Sequence, residues 1–131
     1  MAGPTPSRRS ALSRVRYLGS AHDGTAHFWA QRLTAVALIP LTIWFVISIV
    51  TLVGAPYEDV AAWLARPVPA ILMVLLVVAT FHHAQLGLQV VIEDYIHQQG
   101  LRVASLVLVK LGAAALGFAA VFAVLKIAFG G

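Results

Sequence analysis

The residues best suited to chemistry lie together in Phe81–His97, FHHAQLGLQVVIEDYIH. Three histidines, two glutamines, two carboxylates and a tyrosine follow directly on an apolar run that opens at Val68, VPAILMVLLVVAT. An ionisable group at membrane depth is costly, so its default reading is functional. At 100° per residue, His83, Gly87, Val90 and Asp94 share one helical stripe, and His82, Leu86, Gln89 and Glu93 share the next. A mid-membrane histidine can ligate a haem iron or bond a neighbouring helix. Spacing alone does not choose between His82 and His83. Being adjacent, they project about 100° apart and cannot both serve one iron. Gly87, one turn beyond His83, leaves room for a flat macrocycle or for another helix backbone. Asp94 and Tyr95, at the polar end, could deliver protons and donate a hydrogen bond to a quinone carbonyl. An interfacial aromatic beside a solvated acid is their plainer role. Glu93 and Gln89 suit packing or headgroup contact better than catalysis.

Composition decides the class. The 131 residues are 60% hydrophobic and only 11% charged, against roughly 25% charged in an ordinary soluble domain. Too few polar groups remain to cover a soluble surface, so the chain reads as an all-α integral membrane protein. Cysteine is absent, which excludes disulfides, thiolate metal sites and cysteine nucleophiles. The net charge of +4 does not indicate nucleic acid, because the basic residues are scattered. Four of them (Arg8, Arg9, Arg14 and Arg16) stand in the N-terminal region and act as topology signals.

Three spans must position these groups. Residues 1–29 read as a polar, irregular tail closing on His27, Phe28 and Trp29, and 30–131 as the transmembrane domain. No apolar stretch follows the arginines directly, so a cleaved signal peptide is not expected. The spans are expected at about 30–53, 68–97 and 101–129, each able to cross a core of about 30 Å. Pro40 lies inside the first, where neighbouring helices can satisfy the freed carbonyl. The linker of residues 54–67 suggests a short interfacial turn around Asp59–Ala65. Lys126 is close enough to a helix end to snorkel. Lys110, about two turns in, must snorkel or face protein or a polar headgroup pocket. The basic tail and Arg102 put the N-terminus and the Asp94–Arg102 loop in the cytoplasm by the positive-inside rule. The small-residue face of the third span (Gly112, Ala113, Ala114, Ala115, Gly117, Ala119 and Ala120) favours close helix contact, in a bundle with other membrane subunits.

Taken together, His83-Ala84-x-x-Gly87 with Gln89 and then Asp94-Tyr95, and Arg32-x-Thr34-Ala35 following His27, resemble the smaller of the two cytochrome b anchor chains of succinate dehydrogenase, respiratory complex II. The three-helix layout covers about residues 25–129. The eleven-residue step to Asp94 matches His83, not His82, to the family's ligand. The resemblance implies that His83 is an axial ligand of a haem b iron whose second ligand comes from the larger anchor subunit. It implies that Arg32 and His27 lie near the haem propionates, that Tyr95 hydrogen-bonds ubiquinone, and that Asp94 lies beside it. It further implies a multi-pass protein of the bacterial inner membrane, docking flavoprotein and iron–sulfur subunits in the respiratory chain and tricarboxylic acid cycle. The chain would not be catalytic alone. The rivals are a structural subunit of another respiratory complex without haem, and a small transporter subunit. The absence of internal repeats argues against the transporter.

Overall fold

The computed structural model describes residues 20–130, with side chains from residue 24. Four helices account for nearly all of it: α1 (Ser20–Leu52), α2 (Tyr57–Leu64), α3 (Pro67–Tyr95) and α4 (Gln99–Ala128). There are no strands among the described residues. Three helices are long and apolar enough to cross a membrane, over Gly24–Leu52, Pro67–Tyr95 and Gln99–Ala128. The fold is the all-α, three-span architecture expected. Arg8, Arg9, Arg14 and Arg16 lie outside the described residues.

The helix ends differ from the expected ones for identifiable reasons. α1 begins at Ser20, not near Ala30. Hydropathy marks where a helix enters lipid, whereas intrahelical hydrogen bonding continues into the polar layer. Residues read as irregular tail are therefore helical. α1 closes at Leu52, and the chain turns through Gly54 at φ +80°, a left-handed conformation open to glycine at little steric cost. The linker folds into α2, whose first turn carries Glu58 and Asp59, where negative charge complements the helix dipole. Trp63 of α2 stacks on Trp44 of α1, with ring centroids 5.9 Å apart. Pro67 starts α3 at a position that needs no N–H. α3 ends at Tyr95, two residues before the expected end, because Ile96 is extended at φ −97°, ψ 106°.

α3 is the middle helix: it packs on α1 along one side and on α4 along the other, while α2 caps α3 and α4. Among the described residues, only Leu41, Ser48, Leu64 and Leu86 are buried. Three antiparallel rods cannot enclose a core of their own. Large apolar side chains such as Leu33, Leu108, Phe118 and Phe122 are exposed, as expected of a chain whose solvent is lipid or other membrane helices.

Gly117 sets the α3–α4 approach. A Cβ built on it would lie 3.5 Å from Cβ and Cγ of Phe81, an ordinary contact, but anything longer would meet the ring. Gly117→Ala is expected to be near-neutral. Gly117→Leu is expected to destabilise the helix pair by about 1–3 kcal/mol through overpacking. Thermal unfolding of the purified assembly, comparing the two variants, checks this.

Candidate functional site on the α1–α3 seam

His82 and His83 point to opposite partners. His83 is half-buried against α1, and its Nδ1 lies 3.0 Å from Oγ1 of Thr34. His82 is exposed, in a groove that α3 forms with α4. The 100° step between neighbours thus assigns one histidine to each interface of the central helix.

The Thr34 contact constrains which imidazole nitrogen is free. Oγ1 of Thr34 also lies 2.8 Å from the carbonyl oxygen of Ala30 and 3.1 Å from that of Gln31. A hydroxyl has one proton. Spent on the Ala30 carbonyl, it leaves Oγ1 to accept from Nδ1–H of His83. That tautomer keeps the Nε2 lone pair free for a metal or a donor.

His27, Gln31 and Thr34 are spaced four and three residues apart, so they share the α1 face turned to α3. Gln31 continues the seam beyond Thr34: its Nε2 lies 3.8 Å from where a Cβ on Gly87 would sit. The room beside Gly87 therefore takes a glutamine amide of the same chain. Nε2 of His27 and Oε1 of Gln31 are buried without a hydrogen-bond partner. Gln31 was not singled out from sequence. Its position midway between His27 and Thr34 on one helical face was the available signal.

The other expected residues lie toward the ends of the seam. Arg32 is exposed, with its guanidinium carbon 4.9 Å from the centroid of the Phe28 ring. It makes no ion pair among the described residues. Asp94 and Tyr95 are both exposed in the last turn of α3, Tyr95 at 78%. This turn has no basic residue. Glu93 and Asp94 thus sit at the negative end of the helix dipole, against the electrostatic preference. Glu93 heads a ladder along α3: Gln85 Nε2 donates to Gln89 Oε1 at 3.3 Å, and Gln89 Nε2 donates to Glu93 Oε1 at 2.9 Å. Along the helix, Tyr95 is about 18 Å from His83 at 1.5 Å per residue.

Among the described residues, no three histidine or carboxylate side chains converge as a metal cage.

The succinate dehydrogenase/fumarate reductase transmembrane subunit family matches residues 6–125. The chain belongs to this family. A succinate dehydrogenase hydrophobic membrane anchor subunit from Paracoccus denitrificans is 37% identical over 113 residues, covering 86% of this chain and 87% of the relative. The protein of the same name from Rickettsia bellii is 33% identical over 103 residues, covering 79% and 82%. A succinate dehydrogenase membrane anchor subunit from Reclinomonas americana is 24% identical over 92 residues, covering 68% and 77%. No solved structure matches. The resemblance read from the His83, Asp94-Tyr95 and Arg32 motifs is therefore borne out at the level of family. Like the rest of the family, this is a multi-pass membrane subunit of an oxidoreductase complex and not an enzyme by itself.

Proposed function

We propose that this subunit anchors the flavoprotein and iron–sulfur subunits of a succinate dehydrogenase in the bacterial inner membrane, its N-terminus cytoplasmic. It pairs there with a larger cytochrome b anchor subunit, shares one haem b with it, and contributes to the ubiquinone site. The observation that carries the reading is the Thr34–His83 contact on the α1–α3 seam. A mid-membrane histidine held at Nδ1, with Nε2 free, is the arrangement an axial ligand requires.

The chain's own groups fit a haem edge. His83 would hold the iron through Nε2, Thr34 would fix the tautomer and ring plane of the imidazole, and the partner subunit would complete the coordination. His27 Nε2, buried without a partner, suits a propionate oxygen. Gln31 Oε1 is an acceptor and suits a water there. Arg32, exposed toward the same end of α1, adds the positive charge that propionates need. When bound, the haem would supply a one-electron store.

At the other station, Tyr95 donates its hydroxyl proton in a hydrogen bond to a quinone carbonyl. Asp94, exposed beside it, passes protons from the cytoplasmic side. The dipole-opposed position of Asp94 supports this, because helix stability alone would not place a carboxylate there.

Two experiments test the reading. Purification through a tag on this chain is expected to bring down a flavoprotein, an iron–sulfur protein and a second cytochrome b chain with succinate–quinone reductase activity. Their absence would overturn it. Thr34→Val keeps the shape and removes the hydroxyl. It is expected to lower haem content by about tenfold or more and to alter the low-spin electron paramagnetic resonance signal, in the range seen when a metal ligand loses its supporting bond. Thr34→Ser is expected to restore both. Wild-type haem content and signal in Thr34→Val would remove Thr34 from the site.

A further inference from the structure

We propose that the groove between α3 and α4, on the opposite side of α3 from His83, is a binding site for one anionic phospholipid. The groove has a cavity of about 370 Å³. Lys110 lines it, is exposed, and has no ion pair or hydrogen bond among the described residues. Glu93 accepts from Gln89 and does not reach Lys110. A cation within a membrane span requires a counter-ion or escape to the surface, and the described residues supply no counter-ion.

The order of residues along the groove selects the occupant. α4 has 30 residues, about 45 Å at 1.5 Å per residue, so it overhangs a core of about 30 Å at both ends. Lys110, eleven residues beyond Gln99, sits about 16 Å along the helix, roughly 9 Å inside the core. Helical side chains lean toward their own N-terminus. Lys110 therefore leans toward the Gln99 end and the nearest headgroups, the direction in which lysine snorkels. Gln85 and His82 face the same groove from α3, His82 one turn deeper. By the same measure Gln85 stands level with Lys110, and His82 lies close to the midplane, at the depth of the acyl chains. Deeper still the wall is Val78, Phe118 and Val121. A cation leaning toward the headgroups with hydrocarbon beyond it is the polarity sequence of an anionic lipid read from phosphate to acyl chain. A helix of a partner subunit would need no such gradient.

The test uses the intact complex. Native mass spectrometry after equilibration with phosphatidylglycerol or with phosphatidylcholine counts the lipids retained. Wild type is expected to retain phosphatidylglycerol in preference to phosphatidylcholine. Lys110→Gln is expected to weaken that retention about fivefold or more, and Lys110→Arg to preserve it. Ala114→Leu keeps the charge but fills the groove, since Ala114 is exposed on its wall, and is expected to lose the lipid as well. Equal retention of the two lipids, or phosphatidylglycerol held equally by wild type and Lys110→Gln, would overturn the proposal. If Lys110→Gln fails to assemble, Ala114→Leu decides alone, and wild-type retention in it overturns the site. Haem absorbance is expected to be unchanged in all these variants, which separates this outcome from the His83 reading.

Discussion

Tyr95→Phe is expected to lower quinone reductase activity by about tenfold to a hundredfold while leaving assembly and haem absorbance intact. The change removes one hydroxyl and nothing else. Tyr95 closes α3 and is 78% exposed, so its phenol contributes little to packing within the chain. Its energetic role is therefore carried by what the hydroxyl donates to. A donor aimed at an oxygen that gains negative charge is worth about a hundredfold or more in rate when the site is closed to water. A site at the headgroup layer is wetter, which brings the lower end of the range into play. Succinate oxidation by an artificial acceptor, which bypasses the quinone, is expected to be unchanged. Full quinone reductase activity in an assembled Tyr95→Phe complex would remove Tyr95 from the quinone site.

His83→Ala is expected to abolish the low-spin haem b absorbance. A six-coordinate low-spin iron needs two strong axial ligands, and of the two adjacent histidines at this depth His83 alone faces Thr34. His82 cannot take over, because it faces the α3–α4 groove while His83 faces Thr34. Rotating it to the α1 side would require α3 to turn by about 100°, which would disrupt its packing on both neighbours. His82→Ala is accordingly expected to keep normal haem absorbance. The pair of variants separates the two histidines by measurement, where spacing alone could not.

The spans were legible because apolar runs long enough to cross a bilayer have few other uses. Their ends were less legible. α1 extends back to Ser20 because hydrogen bonding continues past the depth at which hydropathy falls. α2 was visible as a turn around Asp59–Ala65, since Pro56 and two acids mark a helix start. The site was legible one helix at a time. The stripe His83–Gly87–Asp94 follows from the period of α3 alone. The facing stripe His27–Gln31–Thr34 was not assembled, because which residue of α1 meets His83 depends on the register between two helices, and no local pattern encodes that. In the sequence Thr34 stands out only through the motif after Arg32, and Gln31 not at all. The division of His82 and His83 between two interfaces had a local signal in their 100° separation. That His82 shares its groove with Lys110 had none, since the two are joined only through the α3–α4 register.

The central claim is that His83 Nε2 is one of two nitrogen ligands to a shared haem. Near-infrared magnetic circular dichroism of the oxidised complex reads the axial pair directly, and His83→Met tests it, because methionine can replace the ligand without emptying the site. The account predicts a bis-histidine signature in the wild type and a histidine–methionine signature in His83→Met. A bis-histidine signature that persists in His83→Met would contradict it.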